Sequence, residues 1–135
     1  MSRDERTTMQ IGEVARRTEL SVRTVRHYED VGLLMPSART TGGFRLYTES
    51  DVDRLLVIRR MKPLGFTLSE MKELLDSLDV LDDRGASATQ RAAAAGVVEQ
   101  CHAKAEDSVR RARRHLRYAE ELTDLLDNSH AAAQE

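Results

Sequence analysis

Between Ser21 and Tyr47 the chain collects side chains suited to gripping a nucleic-acid duplex. If residues 22–30 are helical, Val22 and Val25 share an inward face. Arg23, Arg26 and His27 then project from the opposite one. The planar fork of an arginine can hold guanine or phosphate through two hydrogen bonds, so Arg23 and Arg26 suit base edges or backbone. Thr24, His27 and Tyr28 offer short polar groups for phosphate oxygens, and Arg16 and Arg17 add cations just upstream. Further on, Gly42-Gly43 lies between Arg39-Thr40-Thr41 and Phe44-Arg45-Leu46-Tyr47, a hairpin signal edged with basic and aromatic residues. Glu29 cannot favour phosphate and is expected to pair with a nearby arginine, fixing the second helix. A nucleophile–base–acid set, a P-loop and a GxGxxG are all missing, so the chain is expected not to be an enzyme.

The elements that must position these groups are readable from caps and periodicity. A first helix is predicted from about Ile11 to Glu19, burying Ile11, Val14 and Ala15. A second runs from about Val22 to Asp30 behind the N-cap Ser21, with Gly32 as its stop. Strands are predicted near Arg39 and over Phe44–Tyr47. Thr48 with Asp51 forms a capping box for a third helix whose stripe is Val52, Leu55, Leu56, Ile58 and Met61, ended or kinked by Pro63. Thr67 with Glu70 opens a fourth, burying Leu68, Met71, Leu74 and Leu75. Helix plus basic hairpin is the layout of a winged helix-turn-helix, in which the second helix enters the major groove.

A capping box at Ser87–Gln90 opens about 40 residues without proline, some 60 Å of helix at about 1.5 Å per residue. Spacings of three and four pick out Val98, Cys101, Ala105, Ser108, Ala112, His115, Ala119, Leu122 and Leu126, with Val109 and Leu116 beside them. No intramolecular partner remains for this stripe, so it must be covered by another molecule. The fold class is therefore mainly α: a winged head with a small two-stranded wing, then a long helix that is covered by another molecule. The expected organisation is a disordered arm at 1–8, a head at 9–81, a linker at 82–86, a coiled-coil helix at 87–128 and a tail at 129–135.

The sequence resembles the MerR family of bacterial transcription regulators. The resemblance is carried in order and spacing by Ile11-Gly12-Glu13-Val14-Ala15, by Thr24-Val25-Arg26-His27-Tyr28-Glu29 with Gly32-Leu33-Leu34, by Arg39 with Gly43-Phe44-Arg45-Leu46-Tyr47, and by Leu64-Gly65-Phe66-Thr67-Leu68. It covers roughly residues 10–78. His27 stands where an aromatic is usual, and Pro63 where the family continues a helix. The resemblance implies backbone-gripping roles for Arg39, Gly43, Phe44, Arg45 and Tyr47, with packing beneath the wing the alternative for Tyr47 and pinning of the wing to the core the alternative for Phe44, and a further basic contact at Lys62. It implies an antiparallel two-stranded coiled coil and hence a homodimer. It also implies an inverted-repeat operator inside an over-long promoter spacer, distorted so that RNA polymerase can engage both promoter elements.

Bulk properties agree with an intracellular DNA binder. The net charge of −2 averages unlike halves: residues 1–66 hold 12 Lys and Arg against 9 acids, a balance of +3, and residues 67–135 hold 9 against 14, or −5. The N-terminal half is the nucleic-acid candidate. No apolar run approaches a membrane span, and the polar N-terminus lacks a signal-peptide core. One cysteine suits a reducing cytoplasm, so a bacterial cytoplasmic, nucleoid-associated location is expected. No cofactor is expected, and a tight soft-metal or iron–sulfur site is not, because Cys101 has no thiol companion. Cys101 is a candidate thiol-redox sensor, with packing as the alternative. The rival classes are an architectural, excisionase-like DNA-binding protein and a coiled-coil adaptor that has lost DNA binding.

Overall fold

The computed structural model describes residues 8–35, 38–39 and 42–135, and of residues 38–39 the backbone alone. Strand β1 (Thr8–Gln10) leads directly into helix α1 (Ile11–Thr18), and α2 (Val22–Asp30) follows after a short turn. Strands β2 (Ala38–Arg39) and β3 (Arg45–Thr48) form the wing, and α3 (Glu49–Met61) and α4 (Leu68–Asp82) complete the head. Helix α5 (Ala88–Ala133) ends the chain. The chain divides into two compact units, Met1–Glu99 and Gln100–Glu135.

The helix starts follow their caps. Ser21 Oγ accepts the Thr24 backbone N–H at 3.0 Å. Thr48 and Asp51 exchange both capping-box bonds, at 3.2 and 2.8 Å, as do Thr67 and Glu70, at 3.1 and 2.8 Å. Ser87 and Gln90 do the same, at 3.0 and 2.8 Å, ahead of α5. Each box satisfies donors that a helix start leaves unpaired. At Pro63 the chain leaves α3 for a single 3-10 turn, Lys62–Leu64, closed by Gly65 at φ +83°. The proline stops the helix rather than kinking it.

The head's core is mainly aliphatic, with Tyr28, Tyr47 and Phe66 among its buried residues. Val14, Val25, Leu33, Leu34, Tyr47, Leu55, Ile58 and Leu75 are each at most 1% exposed, and Tyr28 and Met71 are 2% exposed. Leu68, expected in this core, is 42% exposed. It is the first residue of α4, where the helix has only begun to turn its face inward. Ile11, Ala15, Leu56 and Leu74 are half-buried.

Three features depart from the sequence expectation. The sheet has three strands in the order β1-β3-β2, both pairings antiparallel, with Thr8 opposite Thr48 and Arg39 opposite Arg45. The two-stranded wing is present, but Thr8, assigned to the arm, belongs to β1. Residues 1–7 lie outside the described residues. The division into units falls inside α5, not at 82–86. The first turns of α5 pack on the head: Ala94 is 4% exposed, and Arg91 donates to the Leu81 and Asp83 carbonyls at 3.2 and 2.5 Å, closing the end of α4. Finally, α5 runs on through the expected tail to Ala133, because Ala131, Ala132 and Ala133 are strong helix formers with nothing to break them.

Candidate nucleic-acid interface

Helix α2 presents its cations as its periodicity dictates. Val25 and Tyr28, three apart, face the core, and Arg23, Arg26 and His27 are exposed. Across from them the wing turns at Gly43, whose φ of +84° is a conformation open to glycine. It brings Phe44, 64% exposed, and Arg45 beside the helix. Arg26, Gly43, Phe44, Arg45 and Tyr47 line one recess of about 190 Å³, together with Gln10 and Ile11. The expected helix and wing contributions thus converge on one patch. Gln10 carried no signal in the sequence, and Ile11 was expected only as a core residue of the first helix; both arrive here because β1 pairs with β3. Of the remaining wing candidate, Arg39, only the backbone is described.

Several expected contacts have other employment. Tyr28, expected at a phosphate, is 2% exposed: its ring is a core group with the Lys62 ammonium 5.9 Å from its centroid. Lys62 itself is exposed, and burial of Tyr28 follows from its sharing a face with Val25. Tyr47, also expected at the backbone, is fully buried, and its hydroxyl donates to Glu29 Oε2 at 2.6 Å. Burial, reinforced by that hydrogen bond, raises the Tyr47 phenol well above its usual range. Thr24 Oγ1 is engaged with Ser21 Oγ at 2.8 Å, as part of the cap.

The basic residues of α1 divide. Arg16 is exposed and pairs with Glu13 one turn back, Nε to Oε2 at 3.0 Å, which holds the Glu13 carboxyl below the usual carboxylate range. Arg17 puts both terminal nitrogens on Glu49, Nη2 to Oε2 at 2.6 Å. It ties α1 to the start of α3 while staying exposed at the surface of the head. The sequence could not reveal this pairing across 32 positions. Glu29 does pair with an arginine as expected: Arg45 Nη1 meets Glu29 Oε1.

The expected dimer residues all lie on α5. Val98, Cys101, Ala105 and Ser108 are half-buried, and Ala112, His115 and Ala119 are exposed. Val109, Leu116, Leu122 and Leu126 are 47 to 59% exposed. Tyr118 and Leu125, not assigned to the seam, are equally exposed. Cys101 is a free, half-buried thiol on this helix. Among the described residues no group of three or more His, Cys, Asp or Glu could hold a metal ion, and no helix is long and apolar enough to cross a membrane.

The sequence model of the MerR HTH family regulatory proteins matches residues 9–78, and the one described as MerR, DNA binding matches residues 52–132. The chain belongs to the MerR family. It is a DNA-binding transcriptional regulator of that family, not an enzyme. Among curated MerR-type relatives, the uncharacterized HTH-type transcriptional regulator PA4778 of Pseudomonas aeruginosa is 39% identical over 99 residues, 73% of this chain and 74% of its own length. The HTH-type transcriptional regulator ZntR of Escherichia coli is 49% identical over 65 residues, 48% of this chain and 46% of its own. The ZntR likeness thus spans about half of either protein. Among solved structures, HiNmlR, a MerR family regulator lacking the sensor domain and bound to promoter DNA, superposes with a TM-score of 0.74 over 93% of this chain and 94% of that one. At 20% identity that likeness is one of fold.

Proposed function

We propose that this MerR-family chain acts as a homodimer on an inverted-repeat promoter site and regulates transcription by distorting the promoter DNA. The observation that carries the reading is the shared recess of Arg26 on the recognition helix and Gly43, Phe44 and Arg45 on the wing. In this reading Arg23 and Arg26 enter the major groove. Gly43, Phe44 and Arg45 hold the neighbouring backbone, and Arg16, His27 and Lys62 add contacts at the rim. Phosphate contacts position such a head, and base contacts specify the sequence. The seam of α5, with large apolar residues at Val109, Leu116, Leu122 and Leu126 and alanines between them, is covered by the same helix of a second copy, antiparallel to it.

A dimer sets two heads on one face of a duplex, so the half-sites are separated by whole helical turns. Bending such a site smoothly costs about 1–6 kcal/mol, enough to make promoter geometry the regulated quantity. RNA polymerase is then affected through the DNA, in the bacterial cytoplasm. The test is to incubate purified protein with fragmented genomic DNA and sequence what it retains. The expected result is enrichment of one inverted repeat within a promoter spacer. Uniform retention, or none, would contradict the reading and favour an adaptor that acts through its helix alone.

A further inference from the structure

Glu29 sits on the recognition helix, yet its side chain is only 8% exposed. Its two oxygens reach different residues of the wing: Oε2 accepts the Tyr47 hydroxyl at 2.6 Å, and Oε1 meets Arg45 Nη1. Arg45 and Tyr47 are two apart on β3, and side chains two apart on a strand point the same way. One carboxylate therefore clamps the wing strand to α2 at two points. Arg45 remains about one-third exposed, and a guanidinium has five donors, so pairing at Nη1 leaves others for a phosphate.

We propose that Glu29 is a positioning residue that aims Arg45 and locks the wing to the recognition helix, setting discrimination between the operator and other DNA. The inference rests on the DNA-binding reading above. An arginine released from Glu29 keeps its charge and still draws the duplex in, but must surrender rotamer freedom on contact. A carboxylate near the backbone also opposes phosphate everywhere. Loss of Glu29 therefore has opposite effects on the two kinds of DNA: specific binding loses its aimed contact, and nonspecific binding loses a repulsion. Burial of Tyr47 keeps its hydroxyl protonated, so it remains a donor to the clamp.

The experiment compares binding to a genomic fragment that the wild-type chain retains with binding to a random-sequence duplex of equal length, at matched salt. Glu29→Gln keeps an acceptor for Tyr47 and removes the ion pair. Its affinity for the retained fragment should fall about tenfold, the effect of losing one charge-assisted hydrogen bond, and its affinity for the random duplex should hold or rise. Tyr47→Phe keeps the buried ring and removes one point of the clamp; it should lower the same ratio by a smaller factor, and it decides the matter if Glu29→Gln fails to fold. An unchanged ratio in both variants, or equal losses on both duplexes, would overturn the proposal. Failure of the wild type to retain any fragment would overturn the underlying reading first, and the clamp with it.

Discussion

The head and the far part of α5 treat apolar surface in opposite ways. In the head, aliphatic residues from every helix meet in one interior, where Val14, Val25, Leu55, Ile58 and Leu75 have no exposed surface. Between residues 100 and 135 no residue is buried, and Val109, Leu116, Tyr118, Leu122, Leu125 and Leu126 stand about half exposed. A single helix can satisfy its own backbone but cannot bury its own stripe, so most helix stability in proteins comes from packing. The head buries its apolar groups within one chain, whereas the stripe of the helix stays uncovered until the proposed association covers it. The contrast also divides the chemistry: Arg23, Arg26 and His27 of the head face outward, where the proposed DNA contact needs them, and the apolar groups of the helix face outward, where the proposed dimer would cover them.

The largest expected effect breaks the helix side of this contrast. Replacing Leu122 and Leu126 together by Asp would remove four leucines from the proposed two-fold interface. Each is worth about 1.5–3 kcal/mol, so dimer affinity should fall by at least a thousandfold. Sedimentation velocity checks it, with the head's melting unchanged. The head side is sharpened by Leu55→Ala, which should cost about 2–5 kcal/mol in chemical denaturation through the cavity it leaves in a fully buried site. Leu122→Ala should leave head stability untouched. Next, Arg26→Ala with Arg45→Ala should weaken binding to the retained fragment by about 2–6 kcal/mol, at roughly 1–3 per lost pair. Dimer mass should be preserved. A full loss of dimer there would blur the division between regions.

Two smaller effects concern the head alone. The raised phenol of Tyr47 stabilises the fold in its protonated form. That contribution is fully present below its ordinary value of 10.0 and is lost as pH climbs above it, because the unfolded chain releases the proton first. Denaturation midpoints measured at rising alkaline pH should fall less steeply for Tyr47→Phe than for wild type. Thr67→Ala should cost about 1 kcal/mol by removing one half of the α4 capping box, with no effect on the association of α5.

Legibility from sequence followed the range of the interactions. Caps act over three residues, and all four read in advance, Ser21, Thr48, Thr67 and Ser87, hold their helices as expected. The placement of Arg23, Arg26 and His27 outward followed from Val25 facing inward. What escaped was set by distant partners. Arg17 is engaged by Glu49 across 32 positions, and Tyr47 by Glu29 across 18. β1 exists because β3 offers it an edge, since three residues are too few for a periodic signal. The type of Tyr28 fits both a phosphate contact and a core, and its spacing from Val25 accounts for its burial. The recess joining Arg26 to the wing was foreseeable as a pairing of elements, but its floor of Gln10 and Ile11 was not.

In the proposed assembly one duplex is held by two heads joined through α5. Its most direct test is the mass of the complex between the full chain and a retained fragment bearing one inverted repeat, measured by sedimentation with the chain mass of 15.2 kDa as the unit. Two chains per duplex for the wild type, with weak, single-chain binding after the paired Leu122→Asp and Leu126→Asp changes, is the expected result. One wild-type chain bound at full affinity, or two chains still bound by the variant, would contradict it.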